Sequence, residues 1–165
     1  MISKQYISKL WILLAIILAG VSFAFVYGTG TDGTRTYASD EDNFTFPYPA
    51  DFITFTHPVA DAGKRIVLES TKAERGFEIT ILPFDEPGPL TAERILVDIP
   101  DMTLENSHSI TIGSGIPALA FDSADENIGP THEIWFPYDG FLYQARTRPA
   151  FGPEMEMLLA EWSFK

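Results

Sequence analysis

The 165-residue chain has no cysteine, no acidic residue in its first 27 positions, and eleven basic residues against twenty-three acidic ones. Each shortage excludes something. Without cysteine there is no disulfide framework, no thiolate metal site and no lipid-modified cysteine anchor. Exported eukaryotic domains of this size often carry disulfides, so their absence leans toward a bacterial exporter. The shortage of base leaves a formal charge of −12, which opposes contact with phosphate backbones and excludes nucleic acid as a partner. An anionic membrane surface is disfavoured for the same reason. Basic peptides, cations or plain solubility remain compatible with the charge.

What is present first is an uncharged run, Leu10–Tyr27, reading LWILLAIILAGVSFAFVY. At about 1.5 Å rise per residue it spans roughly 27 Å, close to the hydrocarbon thickness of a bilayer. Lys4 and Lys9 precede it, so positive-inside orientation keeps residues 1–9 in the cytoplasm and exports the chain beyond Tyr27. The expected address is a single-pass signal-anchor in the cell membrane, with the bilayer itself as one partner. The competing reading is a cleaved signal peptide: Ser22-Phe23-Ala24 puts small residues where a signal peptidase reads, and cleavage after Ala24 would give a secreted protein. The run is longer than an ordinary signal core and continues through Phe25, Val26 and Tyr27, which favours the anchor.

Both basic residues of the anchor region lie before the apolar run, so residues 28–165 carry a formal charge of −14. Residues 28–42 begin with Gly28-Thr29-Gly30 and end in Ser39-Asp40-Glu41-Asp42; they read as a flexible linker. Residues 43–165 are long enough for one domain with its own core, and thirteen Phe, six Tyr and three Trp in the chain argue for packing over disorder.

Within that domain, Phe44-Thr45-Phe46 alternates and then meets Pro47-Tyr48-Pro49, a strand stopped by prolines. Residues 52–55 form a second short strand. Residues 65–70 and 76–82 are β-rich and separated by a polar turn, which predicts a hairpin. A short helix comes next at 91–98, with Thr91 as N-cap and Glu93 in its first turn. Strands are expected at 109–112 and 118–122, and then a polar, acidic loop at 122–130. Residues 132–136 and 141–147 flank Tyr138-Asp139-Gly140, and Asp-Gly is a strong hairpin turn. The last helix spans 153–162, with Pro153 in its first turn and Met155, Leu158, Leu159 and Trp162 on one face. A last edge segment at 163–165 is compatible with the pattern. The predicted class is α+β: an antiparallel sheet of about seven or eight short strands with two helices packed on it, preceded by one transmembrane helix.

This layout resembles the PsbP-like fold, as found in small membrane-anchored bacterial exported proteins. The residues that carry the resemblance are Phe44–Pro49, Ile112-Gly113, Ala118–Phe121, Glu133–Phe136, Leu142–Gln144 and Trp162–Lys165. It covers roughly Tyr37 to Lys165. The family includes photosystem II accessory proteins and is not defined by enzymatic activity. The resemblance therefore implies an accessory or binding role; no cation- or cofactor-binding residue of the photosynthetic members maps onto this sequence.

Candidate chemistry is sparse. His57, His108 and His132 lie in separate segments without metal-ligand spacing. Gly113-Ser114-Gly115 lacks the Gly-x-Ser-x-Gly spacing of a nucleophile elbow and reads as a β-turn. Asp122–Asn127 offers several oxygens for weak cation binding but does not fit an EF-hand loop, so an acidic loop is the better reading. No catalytic, metal or cofactor residue is assigned. Trp135, Tyr138, Tyr143 and Phe151 cluster around the late hairpin. Core packing accounts for some of them, and any left outside would form an aromatic binding patch. The expected function is a non-enzymatic, membrane-anchored extracytoplasmic binding or accessory module, with an envelope protein as partner. The alternative is an envelope hydrolase, which requires converging carboxylates in a cleft.

Overall fold

The computed structural model describes residues 33–60, 62–86 and 88–165. The anchor expected at Leu10–Tyr27, the stretch 1–9 and the alternative cleavage point after Ala24 lie outside the described residues. Among the described residues no helix is long and apolar enough to cross a membrane.

The described chain is a mostly-sheet α+β fold. Its elements run β1 (Thr34–Ser39), β2 (Phe44–Pro49), β3 (Phe52–Pro58), β4 (Lys64–Ser70), β5 (Gly76–Pro83), α1 (Ala92–Asp98), β6 (Glu105–Ile112), β7 (Ile116–Asp125), β8 (Gly129–Tyr138), β9 (Phe141–Thr147), α2 (Gly152–Leu159) and β10 (Ser163–Phe164). A 3-10 turn, Pro149–Phe151, leads into α2. Seven strands form one antiparallel sheet in the order β3-β4-β5-β9-β8-β7-β6, and β1-β2-β10 form a second. Two meanders, β3-β4-β5 and β6 through β9, are thus joined where β5 pairs with β9.

The strand alternation separates two cores. Ile66, Ile79, Ile134, Phe136 and Tyr143 point to one face of the large sheet, where Phe44, Phe46, Met155, Leu159 and Trp162 cover them. Trp162 is at the centre, its ring 4.4 Å from Phe44 and 4.9 Å from Phe46 between centroids. Leu119, Phe121, Trp135 and Leu142 point to the opposite face and bury Ile95 of α1. Thr91 caps that helix as expected, its hydroxyl accepting from the Arg94 backbone N–H at 3.3 Å. The helix covers only the β7-β8-β9 half of this face.

Several boundaries depart from the sequence expectation. Residues 34–39 fall in the expected linker but form β1, in full register with β2 from Thr34↔Pro49 to Ser39↔Phe44. The physical reason is aromatic: Tyr37 stacks on Phe46 with centroids 5.1 Å apart. β2 is not stopped by its prolines. Ala50 N–H donates to Gly33 on the β1 side, and the Asn43 carbonyl accepts from Lys165 on the other. By alternation the nitrogens of Pro47 and Pro49 face the β10 side, where pairing ends at Thr45, so the missing N–H groups lose no ladder bond. The acidic loop expected at 122–130 shrinks to a turn, because β7 runs to Asp125 and β8 starts at Gly129. The last helix stops at Leu159, and Trp162 is placed by the next turn, in which its N–H donates to the Leu159 carbonyl. Gly113-Ser114-Gly115 is a turn as expected. Gly113 adopts φ +52, and a Cβ there would collide with the Trp162 carbonyl oxygen.

Candidate functional site

Trp135, Tyr138, Tyr143 and Phe151 do not share a surface. Trp135 lies under α1 on one face of the large sheet, and Tyr143 lies in the aromatic core on the other. Phe151 is buried beside Phe52 and Phe77, with the Arg75 guanidinium 5.9 Å above its ring. Only Tyr138 is substantially exposed, stacked on Phe164 with centroids 3.8 Å apart. The aromatic cluster is therefore mostly core, because β8 and β9 alternate and both faces of their sheet are covered near these residues.

A groove of about 710 Å³ runs across the ends of β4, β5 and β9. The turn at residues 71–75 forms one wall and residues 148–154 the other, and exposed Ile128 contributes at its edge. Three arginines line it, Arg75, Arg146 and Arg148, in a chain where base is scarce. Arg75 is a strut between elements: it pairs with Asp51 at 3.1 Å and Glu154 at 3.3 Å, and lies 5.3 Å above the Phe52 ring. The Ser70 hydroxyl, 2.5 Å from Asp51 Oδ2, and then Arg75 hold the Asp51 carboxyl below its usual value. Arg148 is exposed and makes no ion pair among the described residues.

Behind the groove, β5, β9 and β8 carry a row of directly opposed residues, Glu78↔Arg146↔Glu133. Arg146 binds Glu78 through Nε at 3.0 Å and Nη2 at 2.5 Å, and Asp125 through Nη1 at 2.8 Å. The backbone N–H groups of Asn127 and Ile128, then Arg146, hold the Asp125 carboxyl below its usual value against the desolvation that pushes it up. Glu133 is only 6% exposed. Desolvation raises its pKa, although Thr131 Oγ1 donates to Oε1 at 2.9 Å and Trp135 Nε1 to Oε2 at 2.8 Å. Both oxygens are thus engaged and Glu133 does not line the groove. The carboxylates converge on a guanidinium and two neutral donors, an arrangement that fixes the sheet and offers no free acid–base pair.

The histidines are placed apart in role. His57 is on β3, His108 is exposed on β6 with Nδ1 2.9 Å from the Asn106 carbonyl, and His132 is buried on β8. His132 bridges elements, with Nδ1 2.9 Å from Asp122 Oδ1 of β7 and Nε2 2.8 Å from Glu156 Oε1 of α2. Asn106 Nδ2 also donates to Asp122, and these hydrogen bonds hold the Asp122 carboxyl below its usual value. Both aspartates of the 122–127 segment therefore have protein partners. Among the described residues no group of three or more His, Asp or Glu side chains is arranged to hold a metal ion.

Sequence reasoning missed the Glu78–Arg146–Glu133 row and the position of Arg148. A signal existed: Glu133 directly precedes the apolar run Ile134-Trp135-Phe136, and strict alternation puts it on the face of Trp135. What linear order could not supply is that β5 sits beside β9, which brings a third charge into the row.

Together these elements define an antiparallel sheet with one helix on each face and a small, aromatic-lined second sheet packed against it. The solution structure of cyanobacterial PsbP (CyanoP) from Synechocystis sp. PCC 6803 shares this fold, with a TM-score of 0.57 over 86% of this chain and 98% of that chain, at 13% identity. The described domain therefore has a PsbP-like fold. No family model matches the chain, and no curated protein sequence matches it.

Proposed function

We propose that this chain is a non-enzymatic accessory module, anchored through Leu10–Tyr27 and displaying its acidic domain outside the cytoplasm to an envelope protein. The observation that carries the reading is the open groove over β4, β5 and β9. Its charged walls include unpaired Arg148, while apolar Val67 and Ile128 contribute to its surface. Such a surface suits contact with a protein segment. The hydrolase alternative needs a carboxylate free to exchange a proton in the cleft. Here Glu78 and Asp125 are held by Arg146, and Glu133 by Trp135 and Thr131.

Two measurements test the reading. Affinity capture from membranes should recover a partner with the full chain and lose it with Arg148→Glu, at unchanged thermal stability. Equal recovery by both would remove the groove as the contact surface. Alkaline extraction should leave the full chain in the membrane pellet; a soluble product beginning at Phe25 would show instead that the segment is a cleaved signal.

A further inference from the structure

A second, smaller concavity of about 270 Å³ lies on the other side of the domain, where the β8–β9 turn meets β10 and the β1–β2 turn. We infer that it is a binding site for one organic cation, the ammonium or guanidinium head of a basic side chain on a partner protein. It is independent of the groove over β4, β5 and β9.

Size comes first. The notch is smaller than the roughly 300–1,000 Å³ of ordinary small-molecule pockets, so it admits a single side chain. Its walls suit a cation. Tyr138 and Phe164 stack to form one side, and aromatic faces carry the negative lobe of the ring quadrupole. Glu41, Asp42 and Asp139 supply carboxylates. Lys64 already places an ammonium against Asp42 and Glu41, which leaves the local charge negative. Asp139 makes no ion pair among the described residues, and it sits in a turn held by φ values of +47 at Asp139 and +79 at Gly140.

An independent observation comes from Tyr143. The residue is only 2% exposed, its ring clamped 4.9 Å from Phe136 and 5.7 Å from Trp162 between centroids. Yet its hydroxyl has no hydrogen-bond partner among the described residues, and the residue lines the notch. The hydroxyl is not sealed from solvent, so it opens into the notch, and with no protein partner it is free to bond a group that enters there. Desolvation and then the charges of Asp42 and Asp139 push the Tyr143 hydroxyl up, so it stays protonated and neutral. Its oxygen lone pairs remain available to an N–H donor in a notch that Tyr138, Asp139 and Phe164 also line. A Lys or Arg head seated there would gain a charge-assisted bond, a neutral one and a ring face together.

The test titrates the full-length, isotope-labelled protein with Nα-acetyl-lysine methylamide and Nα-acetyl-arginine methylamide, with Nα-acetyl-norleucine methylamide as the uncharged control. Backbone amide shifts of residues 138–143 and 164 are followed by NMR. Saturable shifts confined to these residues are expected with the two cationic probes and not with norleucine. Asp139→Asn keeps a residue suited to positive φ, and Tyr143→Phe removes one oxygen; each should weaken binding at least threefold with the rest of the spectrum unchanged. Absence of a saturable shift, equal shifts with norleucine, or undiminished binding by both variants overturns the assignment. A response to calcium chloride but to neither organic cation overturns it as well.

Discussion

On one face of the seven-stranded sheet, Ile66, Ile79, Ile134 and Phe136 are wholly buried beneath β2, α2 and Trp162. On the other face the same strands present Arg65, Glu78, Arg146 and Glu133, and a helix covers only the half next to Leu119, Phe121 and Trp135. The first face is held by non-directional burial, which tolerates changes that keep volume. The second is held by directional contacts, which are satisfied completely or become costly. One sheet thus has a side built for stability and a side where charge is arranged, and the groove opens where the two meet.

The largest effect should come from the apolar side. Trp162→Ala removes the ring that Phe44 and Phe46 stack against and should cost about 3–5 kcal/mol in urea denaturation with an unchanged m-value. A loss below about 1 kcal/mol would mean that the second sheet and α2 can collapse into the space, and the contrast between faces would weaken. Next comes Arg146→Met, which leaves Glu78, Asp125 and Glu133 without their shared cation. It should cost about 3 kcal/mol, and adding Glu78→Gln should restore part of it. If the double variant is no better than the single, Arg146 acts by packing and not by charge.

A smaller effect distinguishes protonation from packing. Glu133 has a folded pKa raised above its ordinary 4.5, with desolvation as the main cause. Its contribution is fully present below about pH 4.5 and is lost as pH rises through the folded value. Asp51, Asp122 and Asp125 have the opposite sign: their contribution is present above the ordinary 3.8 and is lost as pH falls through their depressed values. Glu133→Gln should therefore gain on the wild type as pH rises above 4.5, with the Thr131 hydroxyl free to rotate toward the amide. Parallel stability–pH curves would show that Glu133 is not desolvated enough to matter. Smallest of all, Val97→Ser on the outer surface of α1, where Val97 is 77% exposed, should change stability by no more than about 0.5 kcal/mol.

Local pattern made much of the fold legible. The 65–70 and 76–82 strands pair as expected, and Asp139-Gly140 closes the β8–β9 hairpin. Thr91 caps α1, and Met155, Leu158 and Leu159 face inward from α2. These features depend on neighbours in sequence, which is why alternation, caps and turn residues announce them. β1 was not legible because Thr34–Ser39 has one aromatic residue and no apolar alternation of its own; its partner β2 supplies the missing surface. Of the four aromatic candidates, only Tyr138 reached the surface, since neither β8 nor β9 reveals in isolation that its two faces are both covered.

By itself the sequence determined the acidic charge, the absence of thiol chemistry, the uncharged run at 10–27 and the hairpins, all properties of composition or of residues a few positions apart. The tertiary structure alone decided that β5 lies against β9, that Arg146 stands between Glu78 and Glu133, and that Tyr143 brings an unused hydroxyl to a notch beside Asp139. The reason is that strand order and side-chain convergence come from non-local pairing, whose outcome depends on which faces can be buried together and not on any local preference.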